Sequence, residues 1–214
     1  MCAWWQRTAH SAVPAGRFGP SGDRPDEIDV GAATLRDVLL SAAGAALLLV
    51  DFQQRLVPAI DGGAAVVANA VRLAEAARLL DVPVCATEQN PDGLGHTVAE
   101  LAERPQLVLA KTAFGATADP GFATLLPPRT SEIVLAGAEA HVCVLQTALG
   151  LIAARHRVLV VADAVGSRAA VDKAVALDRL QRHGVEVVTT EMVLFEWLRD
   201  SMHPRFREVH KLIR

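Results

Sequence analysis

The 214-residue chain has no tyrosine and only three tryptophans, and aromatic residues make up 4% of it. Any core it builds is therefore aliphatic. Its three cysteines, Cys2, Cys85 and Cys143, lie far apart with no CxxC or Cys/His spacing. An odd, sparse set of this kind argues against a disulfide framework and a structural zinc site, and suits a reducing, cytoplasmic compartment. Long apolar runs are also missing. The longest, Ala42 to Val50, stops at Asp51 and is about half the length of a membrane span. No basic block occurs, and 21 Lys and Arg against 24 Asp and Glu leave a net charge of −3. The positive stripe that a nucleic-acid partner requires is absent.

What is present is a chain that is 51% hydrophobic, long enough for one well-buried domain and short for two. Residues 1–30 differ from the rest. Trp4, Trp5, Pro14, Gly16, Gly19, Pro20, Gly22 and Pro25 follow no helical or strand period, and the first 22 residues carry Arg7 and Arg17 without an acid. This stretch reads as a flexible extension, with an organelle transit peptide as the alternative; it has no apolar segment of the secretory kind. Residues 31–214 read as a single domain.

Within that domain, short aliphatic runs alternate with segments of helical period. The runs are Ala45–Val50, Val82–Thr87, Leu107–Ala110, Glu132–Ala136, Arg157–Ala162 and Val185–Thr190. The helical segments are Ala64–Leu80, Val142–Arg155 (apolar nearly all round, hence buried), Arg168–His183 with Gly184 after it as a C′ glycine, and Glu191–Met202 before Pro204. Thr97 and Glu100 have the spacing of a capping box. The apolar C-terminal segment with Phe195, Trp197, Leu198 and Phe206 packs either on the sheet or on another subunit. Apolar strands alternating with helices predict an α/β domain of three layers, α/β/α, around a parallel sheet. Ligands bind such sheets beyond the carboxyl ends of the strands.

Three reactive groups fall at those ends. Asp51 terminates the first aliphatic run and Lys111 the third, while Cys143 follows the fourth and opens the predicted buried helix. Each has an ordinary alternative, as a loop aspartate, a solvated lysine and a buried inert thiol. A thiol at a helix start meets unpaired N–H groups and the positive end of the helix dipole, which lower its pKa and favour thiolate. Cys85, inside a strand, reads as an inert core thiol. An acid, a cation and a thiol brought to one sheet edge make a cysteine-nucleophile constellation.

The chain resembles the isochorismatase-like cysteine hydrolases, and most nearly the branch of isochorismatase domain-containing proteins. The resemblance is carried by Leu48-Leu49-Val50-Asp51-Phe52-Gln53, by Lys111-Thr112-Ala113-Phe114, and by Gly137-Ala138-Glu139-Ala140-His141-Val142-Cys143-Val144. Further matching stretches are Thr87 to Gly95, Val161 to Arg168 and Leu194 to Phe206, so the likeness covers about residues 44–210. It implies a doubly wound sheet of six parallel strands and a catalytic triad of Asp51, Lys111 and Cys143. It also implies a cis peptide at Ala138–Glu139 and an oxyanion hole formed by the backbone N–H groups of Glu139 and Cys143. The family commonly forms homo-oligomers.

The metal-binding nicotinamidases of this superfamily carry an Asp-x-His and a further His after the second strand. Here Gln89 to His96 holds a single histidine, His96, so no metal and no cofactor are expected. His141 is assigned a structural role rather than that of a general base. Leu56, Gln89 and Phe114 are the candidate substrate-pocket side chains. The expected activity is metal-independent hydrolysis of a small amide or related C–N bond through a Cys143 thioester. The alternatives are ether hydrolysis of the isochorismatase type, with Asp51 as acid, and a non-catalytic α/β binding or assembly protein. The expected partner is a small-molecule substrate, with no nucleic acid and no membrane.

Overall fold

The computed structural model describes residues 38–214. The expectations for residues 1–30, a flexible extension or a transit peptide, lie outside the described residues.

Six strands form one sheet: β1 Ala45–Val50, β2 Val84–Gln89, β3 Leu107–Lys111, β4 Glu132–Ala138, β5 Arg157–Gly166 and β6 Glu186–Val188. All neighbours pair in parallel, in the order β3-β2-β1-β4-β5-β6. The chain winds outward from β1 in one direction through β2 and β3, then returns to β4 on the other side of β1. This is a doubly wound α/β sheet, and the crevice between the ends of β1 and β4 is its topological switch point.

The helices follow the strands as the alternation requires. They are α1 Gly63–Leu79, the short α2 Pro91–Leu94 and α3 Ala99–Ala102, α4 Leu145–Ala153, α5 Ala170–Arg182, α6 Thr190–Leu198 and the short α7 Phe206–His210. One face of the sheet packs against α1 and α6, where Val67, Leu73, Ala77, Leu194 and Trp197 meet the β1 side chains Leu47 and Leu49. The other face packs against α4 and α5, where Ala148, Leu151, Ala176 and Leu180 meet Leu48 and Val50. The result is three layers with an aliphatic core on each face. Trp197 and Leu198 are buried in the cluster on the sheet and Phe206 packs against it, while Phe195 is 40% exposed.

Four predicted details are corrected. β2 runs two residues later than expected, because Thr87, Glu88 and Gln89 remain in the strand and are buried there. The capping box at Thr97 does not form. Thr97 gives both its N–H and its hydroxyl to the buried Glu88 carboxylate at 2.7 and 2.8 Å, and α3 begins after Val98 with no side-chain cap. α4 is not buried all round: Leu145, Ala148 and Leu151 face the core while Gln146 is exposed. β3 is apolar but is the edge of the sheet, so Leu107 and Val108 remain half exposed. Gly184 does follow α5 in the left-handed conformation, with φ 84°.

Candidate active site

Strand register brings the reactive residues together. Val50 of β1 lies opposite Thr87 of β2 and Gly137 of β4, and Gln89 lies opposite Lys111 of β3. β4 approaches β1 very closely at this level. A Cβ on Gly137, whose φ is 151°, would stand 2.2 Å from the Val50 carbonyl oxygen. Only glycine allows the strand beyond it to turn alongside Asp51.

Asp51 leaves β1 in the left-handed region, with φ 53°. Its N–H donates to the Thr87 carbonyl at 3.1 Å and its carbonyl accepts the Gln53 N–H at 2.9 Å. A non-glycine residue in this region is held there by its surroundings, and here the tight turn swings the carboxylate out of the strand alternation. The side chain is wholly buried. Oδ1 accepts the Thr87 hydroxyl at 2.6 Å and Oδ2 accepts Lys111 Nζ at 2.9 Å.

Lys111 is buried as well, its side chain without exposed surface. Besides Asp51, its ammonium donates to Gln89 Oε1 at 2.9 Å and to the Phe114 carbonyl at 3.3 Å. Three acceptors for three N–H groups satisfy the cation completely. Gln89 is fixed in turn. Its Nε2 donates to the Thr112 carbonyl at 2.7 Å, and its N–H donates to Gln53 Oε1 at 2.8 Å. Gln53 is fully buried and also donates to the carbonyls of Gln89 and Gly95 at 3.0 and 2.5 Å. Both atoms of the Gln89 amide hold β3 and Lys111 in place. Of the other two pocket candidates, Leu56 is half-buried and Phe114 is 53% exposed.

The nucleophile candidate arrives on a separate turn. The Ala138–Glu139 peptide is cis, and Ala140–Val144 then form a single π-helical turn that runs into α4. The Glu139 carbonyl accepts the N–H groups of Val142 and Val144 at 3.1 and 3.2 Å. Cys143 is buried to 5% exposure on this turn. Burial, and then the charge and hydrogen bonding of Asp51, push its thiol up to about 12, against a smaller opposing pull from Lys111. The helix-start position favours the thiolate, while the loss of water and the Asp51 carboxylate act in the opposite direction. Cys85 is pushed up to about 11 by burial, its Sγ donating to the Leu125 carbonyl at 3.1 Å.

The two histidines near the site are engaged elsewhere. His141 Nδ1 lies 3.0 Å from Ser167 Oγ, and its Nε2 is 3.9 Å from Asp172. His96 Nδ1 lies 3.0 Å from Glu88 Oε2, on a largely exposed ring. Among the described residues, no three of His, Cys, Asp and Glu are grouped so as to hold a metal ion. A surface groove of about 990 Å³ runs along α1 past Val57, Ile60, Val67, Val71 and Val98, and none of Asp51, Lys111 and Cys143 lines it.

Sequence reading missed the partners that orient the three groups: Thr87 on Asp51, Gln89 on Lys111, and Ser167 and Arg168 on the turn of Cys143. Thr87 and Gln89 carry a signal, being polar residues that continue the β2 run. Ser167 and Arg168 fall in the stretch Val161 to Arg168 that carries the family resemblance, but nothing in that stretch announces their contact with the turn.

The fold and site together define a doubly wound α/β domain with a buried thiol, carboxylate and ammonium gathered at its switch point. The isochorismatase domain model matches residues 45–192. Isochorismatase domain-containing protein 2 of Danio rerio is 40% identical over 175 residues, which are 81% of this chain and 89% of that protein. A solved structure named MAR1 ribonuclease, from Caenorhabditis elegans, superimposes with a TM-score of 0.77 at 36% identity, covering 82% of this chain and 92% of that one. The YcaC product of Escherichia coli, described as an octameric hydrolase of unknown specificity, gives a TM-score of 0.71 at 25% identity over 81% of this chain and 95% of its own. The chain belongs to the isochorismatase family.

Proposed function

We propose that this chain is a metal-independent cysteine hydrolase of small carboxamides or related C–N bonds, with Asp51, Lys111 and Cys143 as its catalytic triad. The observation that carries this reading is the wholly buried Asp51–Lys111 ion pair beside the buried Cys143 thiol, which burial and Asp51 push toward the protonated form. Such a thiol is a poor nucleophile alone and needs a base beside it. Asp51 is that base. Each of its oxygens has one partner, so a lone pair remains for the thiol proton.

As Cys143 Sγ bonds to the substrate carbonyl carbon, its proton passes to Asp51 and the carbonyl π pair moves to oxygen. The N–H groups of Glu139 and Cys143 receive that oxyanion, a contribution of roughly 10²–10³-fold per donor in comparable sites. The tetrahedral centre collapses, the C–N bond breaks, and Asp51 returns the proton to the departing amine. Water then adds to the thioester, giving a proton to Asp51, and the C–S bond breaks to release the acid. Asp51 gives that proton back to the sulfur. Lys111 stays charged throughout and holds the carboxylate in orientation. Phe114 and Leu56 are the side chains assigned to the substrate.

The ribonuclease name of one relative would make RNA the substrate. A net charge of −3 and a thiol–carboxylate pair suited to carbonyl addition favour a small amide instead. In line with the octameric relative, the chain is proposed to assemble as a homo-oligomer.

The test is ammonia release from a panel of aliphatic and aromatic carboxamides, with an oligoribonucleotide and an isochorismate-type vinyl ether as competing substrates. Turnover of a carboxamide that Cys143→Ala abolishes, with an unchanged melting transition, supports the reading. Turnover that survives Cys143→Ala, or is confined to the ether or the RNA, overturns it.

A further inference from the structure

We propose that Ser167 and Arg168, at the end of β5, clamp the turn that carries Cys143, and that Glu139 and His141 are positioning residues of the same reaction. This inference rests on the cysteine-hydrolase reading above.

The turn at Ala140–Val144 is the least regular piece of backbone at the site. It is one π-helical turn between a cis peptide and a regular helix. Its own backbone closes it through the Glu139 carbonyl and through the Leu145 N–H on the Ala140 and Val142 carbonyls, local bonds that fix its pitch and not its rotation about the end of β4. Two side chains set that rotation, and both reach the same pair of consecutive residues. Glu139 Oε1 accepts the Arg168 N–H at 3.1 Å and Arg168 Nε at 2.9 Å. His141 Nδ1 meets Ser167 Oγ at 3.0 Å. Glu139 and Ser167 are buried, at 8% and 1% exposure; the Arg168 side chain is 65% exposed, so its backbone N–H is the firmer of the two donors to Glu139.

The receiving end is itself anchored. Ser167 accepts the Asp61 N–H on its carbonyl at 3.0 Å, which ties it to the loop between β1 and α1. β5 reaches this point by a register shift: Leu135 pairs with Val160, but Gly137 pairs with Val165. The extra residues carry the strand out to Gly166 beside Ala138, level with the start of the turn. Gly166 allows a close approach there, since a Cβ on it would stand 2.3 Å from Ile60 Cγ2.

The residue clamped most firmly, Glu139, is the one whose N–H is assigned to the oxyanion. Its carboxylate also acts on Cys143, disfavouring the thiolate, so its placement beside the sulfur is electrostatically felt. Loss of the clamp lets the Glu139 peptide and Cys143 drift together relative to Asp51 and Lys111, which are held by β1, β2 and β3. A displacement of about 1 Å at a reacting centre costs on the order of 10²-fold in rate.

The experiment compares two reactions of the same sulfur in the full-length chain. With p-nitrophenyl acetate, Cys143 Sγ adds to the ester carbonyl, an oxyanion forms, p-nitrophenolate leaves and the thiol proton goes to Asp51. With iodoacetamide, Sγ displaces iodide from carbon, and no oxyanion forms. Glu139→Ala, which removes both Arg168 contacts, is expected to slow acylation by roughly 10–100-fold while alkylation changes less than about threefold. Glu139→Gln, which keeps an acceptor for Arg168, restores most of the acylation rate. Ser167→Ala serves as the second variant should Glu139→Ala fail to fold, with the same selective loss in smaller degree.

Equal losses in both reactions, or none in either, overturn the clamp and reduce these contacts to packing. Absence of acylation at Cys143 in the unaltered protein overturns the hydrolase reading, and the clamp with it.

Discussion

Lys111 Nζ lies 2.9 Å from Asp51 Oδ2, and neither side chain has any exposed surface. A pair so enclosed behaves as one neutral unit, and removing half of it strands a charge. Lys111→Met is expected to lower stability by about 3–5 kcal/mol in urea denaturation. Lys111→Met combined with Asp51→Asn should recover most of that loss, because no unpaired charge is then buried. Neither variant should turn over substrate. Simple addition of the two single losses would show that the residues are not coupled.

Thr87 provides the second contact on the same carboxylate, its hydroxyl 2.6 Å from Asp51 Oδ1. Thr87→Val keeps the shape and removes the donor. A lost hydrogen bond to a charged group corresponds to about 1.5–3 kcal/mol, which should appear as slower turnover with KM little changed. Thr87→Ser should retain the rate. A Val variant as active as the parent would mean that Lys111 alone orients Asp51.

The thiol of Cys143, pushed up to about 12 by burial and by Asp51, holds its proton throughout the neutral range. The folded protein disfavours the thiolate, so alkylation should rise with pH well beyond the range of an ordinary cysteine, about 8.5, with no plateau near neutrality. Asp51→Asn removes the repelling charge and should shift the profile toward lower pH. Iodoacetamide labelling read by mass spectrometry measures both, with Cys85, pushed up to about 11, as an internal reference. A parent profile already flat at neutral pH would contradict this account.

Gly137 and Gly62 offer a contrast in what a methyl group costs. At Gly137 a Cβ would meet the Val50 carbonyl oxygen at 2.2 Å, whereas at Gly62 nothing lies within 4 Å. Gly137→Ala is expected to lose about 3 kcal/mol or more, beyond ordinary overpacking, or to leave no folded protein. Gly62→Ala, with φ 64°, should lose only about 1 kcal/mol of backbone strain. Denaturation midpoints of the two variants decide it.

The sheet and its reactive ends were legible wherever an aliphatic run stopped at a single charged residue. Val50 to Asp51 and Ala110 to Lys111 are such places, and the structure ends β1 and β3 there. Legibility failed where polar residues continue a strand. Glu88 and Gln89, past the end of the run at Thr87, look like a loop because their partners Thr97 and Lys111 come from elsewhere in the chain. The same competition hid the fate of Thr97, whose local capping pattern lost to a buried carboxylate. At Cys143 the helix start is visible in sequence, while the burial and the carboxylate from β1 that act against the thiolate are not. Ser167 and Arg168 reach the turn only because β5 shifts register, which no local pattern announces.

The enclosure of Asp51 and Lys111 together has a consequence for the chemistry as a whole. In the proposed mechanism the site holds one cation, one anion and an uncharged thiol before attack. After attack, on that mechanism, Asp51 carries a proton and the negative charge has moved to the substrate oxygen, with Lys111 still positive. The sum is zero in both states. Only the position of the negative charge changes, across a short path inside a poorly polarisable interior, so the reaction relocates a charge without creating one. An interior that would resist the birth of a new ion can in this way host an ionic reaction.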